Sequence, residues 1–344
     1  MAYMVNDSYD LPTINYVNCY ILDGYSVAGP KERMGKLGEH YDLTVDNDKF
    51  GEDTFEKGER KMFATALQGA INKSGVSDSD INAIIGGDLL NQIVSTSFAT
   101  RGYPIPYLGL YNACGTFVES LVVGAMLVDN YMQHVACVSG SHFSTAERQY
   151  RFPLELGVFR SPHSQWTATG AGCTILSNHS AHPCARITKA TIGRVVDYGI
   201  KDINNMGAAM APAACDTLLA HLNNTSTKPD DYDLIMTGDL GKLGGYIFGD
   251  LTSKKGVVLG DNYMDCGASM YYPEQRTYMG GSGAACSALV FNSMILNQLH
   301  NNEIKKMLLI GTGALMSPTT SFQGDSIPSI AHCIQVEYEE ELWN

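Results

Sequence analysis

The stretch Tyr111-Asn112-Ala113-Cys114-Gly115-Thr116 sets a cysteine between a strand-like run, Ile105 to Leu110, and a helical one. Val118, Leu121, Val122 and Ala125 recur at i, i+3, i+4 and i+7, the spacing of one helical face. Cys114 is thereby predicted at a helix N-terminus, where unpaired N–H groups and the macrodipole favour a thiolate. A strand that feeds a helix through a reactive-looking turn points to an α/β fold with its chemistry at the strand ends.

Working outward, the two halves of the chain echo each other. Ser79 to Leu89 reads as a turn, a buried strand and a polar tip, and Asp230 to Leu240 has the same form. Each is followed by a small-residue segment opening a helix, Cys114-Gly115-Thr116 in one half and Gly281-Ser282-Gly283 in the other, running from Ala284 to Leu299. Each helix then leads to a buried strand with a glycine-rich end, His134 to Gly140 and Met307 to Gly313. Strand, helix, strand at these lengths means parallel pairing, because parallel strands cannot be joined by hairpins. Gly58 to Lys73 is amphipathic and stops at Gly75, Ala208 to Leu222 reads as a further helix, and Arg186 to Asp197 alternates like an antiparallel strand. Duplication of one α/β unit is the expected organisation, with halves 1–180 and 181–344.

The 344 residues suffice for two such units, and the net charge of -13 argues against a nucleic-acid binder, which needs a basic footprint. Nine scattered cysteines without paired spacing read as reduced thiols. Met1 to Asp10 shows no basic region followed by an apolar run, and the longest apolar stretch, Leu121 to Val128, is short for a bilayer span, so no leader and no membrane span are expected.

A duplicated α/β unit with a cysteine leading a central helix resembles the thiolase fold, which implies a layered α-β-α-β-α arrangement. Closer strings are Ala28-Gly29-Pro30-Lys31-Glu32, Gly86 to Gln92, Thr145 to Arg151, Met210 to Ala214, Gly280 to Ala288 and Ile327 to His332. These resemble the stage V sporulation protein AD family from about Ala28 to Tyr338. The resemblance implies a spore protein that binds dipicolinic acid, alone or as its calcium chelate, and helps move it across the spore inner membrane with membrane subunits of the same operon. It further implies a cytoplasmic protein of the developing cell, peripheral to that membrane, and a homodimer packed through the strand His134 to Gly140. No cofactor besides the ligand is expected.

Acyl condensation needs two polar partners for the cysteine, His-His or His-Asn. In this fold one follows the strand Asp233 to Thr237, where the chain has Gly238-Asp239, and the other precedes Ala284, where thiolases have Gly-His-Pro and relatives Gly-Asn. Here that string is Met279-Gly280-Gly281-Ser282-Gly283. An aspartate beside a thiol raises its pKa, so the condensing machinery reads as dismantled on a retained frame.

A planar dianion calls for helix N-termini, arginines or histidines and a flat apolar slot. The expected ligand-binding residues are Asp88, Asn91, Cys114, His142, Arg148, Arg151, Asp239, Gly281, Ser282 and His332. Plainer readings stand beside them: Cys114 as a buried small residue, His142 and His332 as satisfied core histidines, the arginines as surface charges, and Asp88 and Asp239 as helix caps. His179-Ser180-Ala181-His182-Pro183-Cys184 lacks a fourth ligand for zinc, and Gly311-Thr312-Gly313 lacks the third glycine of a dinucleotide site. The leading expectation is a non-catalytic binding protein. Its rivals are an acyltransferase using Cys114 and a structural subunit with a vestigial cavity.

Overall fold

The computed structural model describes residues 10–150, 160–180 and 184–339. In the first half the strands are β1 (Tyr20–Ala28), β2 (Ala83–Gly87), β3 (Tyr107–Gly109), β4 (His134–Ser141) and β5 (Gly170–Ser177). In the second they are β6 (Cys184–Thr191), β7 (Leu234–Thr237), β8 (Tyr263–Asp265), β9 (Lys306–Ala314) and β10 (Ser329–Glu339). The sheet order is β3-β2-β4-β5-β1 followed by β6-β10-β9-β7-β8. In the first half β2 runs parallel to β3 and β4, whereas β5 is antiparallel to β4 and β1. The second half repeats this: β7 is parallel to β8 and β9, and β10 is antiparallel to β9 and β6. The halves join where Tyr20 pairs with Arg186 and Ile21 with Ala185.

The helices fill the layers around this sheet. They are α1 (Phe55–Ser74), α2 (Val94–Thr100), α3 (Thr116–Asn130), α4 (Phe143–Tyr150), α5 (Met206–Thr225), α6 (Gly241–Lys254) and α7 (Ala284–Val290). Thr54 caps α1 by accepting from the Lys57 amide, and Gly75, at φ 72°, ends it in the left-handed conformation glycine allows. Met62, Phe63 and Leu67 of α1 pack on Ile84, Val138 and Ala171. On the opposite outer face Met210, Leu218 and Phe248 pack on Ile235, Leu308 and Ile310. Between the two halves α3 and α7 share a third core, where the rings of Phe117 and Phe291 lie 5.8 Å apart. Helix, sheet, paired helices, sheet and helix make the five layers of the thiolase arrangement. Each fully buried side chain such as Phe117 or Leu121 contributes about 1.5–3 kcal/mol.

Three expectations change. The helix from Ala284 is interrupted by a π turn at Phe291–Ile295, where Asn292 donates to the Ala288 carbonyl and accepts from Thr174 at 2.6 Å. The strand His134–Ser141 cannot pair with a second subunit, because β2 and β5 occupy both its edges; the free edge of the first half is β3. Ala113–Asn130, longer than the apolar run counted in the sequence, is long and apolar enough to cross a bilayer, and 67% of it is buried between the sheets. Its apolarity is that of a helix with core on both sides.

Candidate functional site

The chain leaves β3 and turns sharply before α3. Ala113 adopts φ 47°, a left-handed conformation that costs a non-glycine residue about 1–3 kcal/mol. The turn is held by the Asn112 amide, which donates to Thr116 Oγ1 at 3.0 Å, and by the Thr116 hydroxyl, which donates to the Ala113 carbonyl at 2.8 Å. It presses on the tip of β9, where a β-carbon added to Gly313 would lie 2.3 Å from the Asn112 carbonyl oxygen. The first-half turn and the second-half strands thus meet at Cys114.

Facing the cysteine are two residues from the second half. The Cys114 sulfur lies 3.8 Å from Ser282 Oγ. Ser282 stands on a short ribbon in which Gly281–Ser282 pairs with Trp166–Thr167, and its hydroxyl donates to Asp239 Oδ2 at 2.8 Å. The same oxygen receives the Gly283 amide at 3.0 Å, and Thr312 donates to the other oxygen at 3.0 Å. Gln165 fixes the backbone beneath by donating to the carbonyls of Asp239 and Gly281, both at 2.7 Å.

These contacts set the protonation states. Burial pushes the Asp239 carboxyl up to about 6, with hydrogen bonds from Cys114, Gly283 and Ser282 pulling the other way. Burial, then the charge of Asp239, push the Cys114 thiol well above its ordinary value. A helix start supplies about 0.3–1 kcal/mol toward a thiolate. Burial shifts a pKa by up to about 3–5 units, equivalent to several kcal/mol, so the thiol stays protonated. Asp239 also takes the Gly283 amide, a backbone donor that could otherwise meet a developing oxyanion.

A cleft of about 430 Å³, counting its open mouth, adjoins these groups. Leu89, Ala146 and Glu147 wall it from the first half, and Met206, Ala314 and Met316 from the second, with Cys114 and Ser282 between them. Most of this lining is apolar. Glu147, buried in the wall, accepts from Thr167 at 3.0 Å.

The structure therefore gathers Cys114, Asp239, Ser282 and Gly281 and leaves Asp88, Asn91, His142, Arg148 and His332 elsewhere. His142 is buried with both ring nitrogens committed, Nε2 to the Asp48 carbonyl at 2.8 Å and Nδ1 to the Ser144 amide at 3.1 Å. Arg148 turns away to Glu56, at 2.9 Å. Asn91 exchanges hydrogen bonds with Gln149 at an exposed position. His332 lies within β10 and accepts from the Gly193 amide at 3.1 Å. Asp88 is the cap that the plainer reading allowed, accepting from the amides of Leu90 and Thr96 and from the Thr96 hydroxyl. Arg151 and residues 181–183 of the histidine cluster lie outside the described residues. Among the described residues no three His, Cys, Asp or Glu side chains converge on a metal position.

Glu147 is a wall residue that sequence reasoning missed, although it lies within Thr145 to Arg151. Its neighbour Arg148 carries the charge that suits an anion, yet one residue along a helix turns the side chain by about 100°, and Ala146 marks the inward face. Asp265 was missed as well; it accepts from the Leu240 and Gly241 amides at 2.8 and 3.0 Å and fixes the turn carrying Asp239.

The profile of the family described as Stage V sporulation protein AD (SpoVAD) matches residues 13–337. This chain belongs to that family. Stage V sporulation protein AD of Bacillus subtilis (strain 168) is 39% identical over 313 residues, covering 91% of this chain and 92% of that protein. Among solved structures, an OleA variant from Xanthomonas campestris superimposes with a TM-score of 0.60 at 13% identity, over 96% of this chain and 100% of that one. A tetronic acid condensing enzyme gives 0.58 at 13% identity over 92% and 99%. The 3-oxoacyl-[acyl-carrier-protein] synthase III of Aquifex aeolicus VF5 gives 0.56 at 10% identity over 93% and 100%. At such identities these likenesses establish the thiolase fold of this family member and nothing of its chemistry.

Proposed function

We propose that this member of the sporulation family is a binding protein that holds dipicolinic acid in the relic condensing-enzyme cleft and passes it to membrane subunits at the spore inner membrane. The observation that carries the reading is the Cys114–Ser282–Asp239 chain, which ends on a carboxylate and keeps the thiol protonated. A nucleophilic cysteine needs a base that takes its proton and an oxyanion site left open. Here the partner is a buried carboxylate whose charge disfavours the thiolate, and the Gly283 amide is occupied.

The ligand class follows from the resemblance and from the shape of the lining, a mostly apolar slot with a few convergent polar groups. Its charge sets a condition. Among the described residues the lining supplies no cation, so a dianion would be desolvated there without a charge partner. We infer that dipicolinate enters with a compensating charge, a proton or a calcium ion chelated between its carboxylates. Binding in calcium-free buffer should then weaken as pH rises, and added calcium should restore it.

The rival reading, an acyltransferase, draws on the thiolase fold and on Cys114 at the start of α3. Incubation with a labelled acyl-coenzyme A and intact-mass analysis separates the two: the binding reading expects Cys114 unmodified, and an acyl adduct that turns over would replace it with the enzyme. The dimer, if formed, would use the free edge strand β3, which presents Leu108 at 45% exposure.

A further inference from the structure

Glu59 of α1 is 1% exposed and joins three elements. Its Oε2 accepts from Ser95 of α2 at 2.9 Å and from Thr145 of α4 at 3.0 Å. Its Oε1 is buried with no hydrogen-bond partner. Asp88, also fully buried, adds its charge from the turn before α2. Asp88 itself is well solvated by two amides and a hydroxyl, so of the pair it is the one suited to carry charge.

Among the described residues no cation offsets the pair. From α1, Glu56 is bound to Arg148 of α4 at 2.9 Å, and Arg60 lies over the Phe98 ring at 4.4 Å. From α2 the facing groups are the hydroxyls of Ser95 and Thr96, and from the segment opening α4 His142 is tied to backbone groups. Two buried carboxyls in such surroundings do not both ionise without strain on what holds them. Since Oε2 already accepts two hydroxyls, the acid proton belongs on Oε1. Burial first, and Asp88 second, raise the Glu59 carboxyl to about 8.

The elements it joins are the back of the cleft wall. Leu89 follows Asp88, Ala146 and Glu147 follow Thr145, and all three line the cleft. We propose that Glu59 is a proton-operated latch on this wall: protonated, it holds α2 and α4 against α1, and ionised, it is driven from Asp88 and releases them. The latch goes beyond the binding reading and rests on it only where ligand affinity is the readout.

Hydrogen–deuterium exchange of the ligand-free full chain, corrected for the intrinsic pH dependence of exchange, tests the latch directly. Between pH 6.5 and 9.5 peptides covering α2 and α4 should open roughly tenfold more often, with a midpoint near 8, while peptides of α5 stay level. Glu59→Gln should remove the step. If that variant does not fold, Asp88→Asn should move the step to lower pH, since it removes a charge that opposes ionisation of Glu59. A step that persists unchanged in Glu59→Gln, or that is lacking in the wild-type chain, overturns the proposal. In a parallel arm at saturating calcium, dipicolinate titrations should weaken over the same pH range in the wild type and not in Glu59→Gln. Failure to bind dipicolinate at any pH would count against the binding reading, and the exchange profile would still decide the latch.

Discussion

The Ser282 hydroxyl donates to Asp239 at 2.8 Å while standing 3.8 Å from the Cys114 sulfur, so the second half of the chain closes over the thiol with a hydrogen-bond chain that ends on a carboxylate. The frame that would activate a cysteine is kept, and its electrostatics are reversed.

Asp239→Asn should lower the Cys114 pKa, because it removes the charge that, after burial, most raises it. Iodoacetamide labelling followed against pH reads this: the rate at pH 8 should rise about tenfold. The same variant should lose about 1–3 kcal/mol in denaturant unfolding, since the amide nitrogen that replaces Oδ1 cannot accept from the Thr312 hydroxyl.

Calcium should strengthen dipicolinate binding by about tenfold, because among the described residues the cleft lining supplies no cation to meet the dianion. Calorimetry with and without a chelator checks it. Equal affinities in the two buffers would mean that the ligand is held without a calcium ion.

Acid should destabilise the fold through two buried histidines. Burial lowers both His221 and His332 to about 4, against about 6.5 in an unfolded chain. The unfolded state then binds more protons below pH 6.5, so each contribution is intact above that pH, declines as pH falls toward 4 and levels below it. Each is worth about 3 kcal/mol across that window. Thermal melts of His332→Gln, whose carbonyl can still accept from Gly193, should show a shallower acid limb than the wild type.

Gly313→Ala should cost about 1–3 kcal/mol and impair ligand binding, as its methyl group would meet the Asn112 carbonyl at 2.3 Å and push the Cys114 turn. Gly102→Ala, with nothing within 4 Å of the new carbon, is the control and should leave the melting temperature nearly unchanged.

Much of this was legible in the sequence, for physical reasons. Strands such as Ala83–Gly87 and Leu234–Thr237 are buried on both faces and read as apolar runs between polar tips, so the repeat was visible. Cys114, Asp239 and Ser282 were found because topology fixes which strand ends meet, whatever their side chains. His142, Arg148 and His332 were chosen for their charge, and the direction of a side chain depends on register and helical phase. His332 shows this: it is an interior position of β10, opposite Gly311, and not part of a loop entering the cleft. The dimer strand failed for a related reason, since strand order within a sheet is a long-range property and β4 proved central.

The most direct test of the central claim is a calorimetric titration of dipicolinate into the wild-type chain and into Ala146→Trp, which fills the cleft from its wall. The account predicts one site on the wild type, discrimination against an isomer with displaced carboxylates, and at least tenfold weaker binding to a folded Ala146→Trp. Equal binding to both proteins would place the ligand outside the cleft and contradict the account.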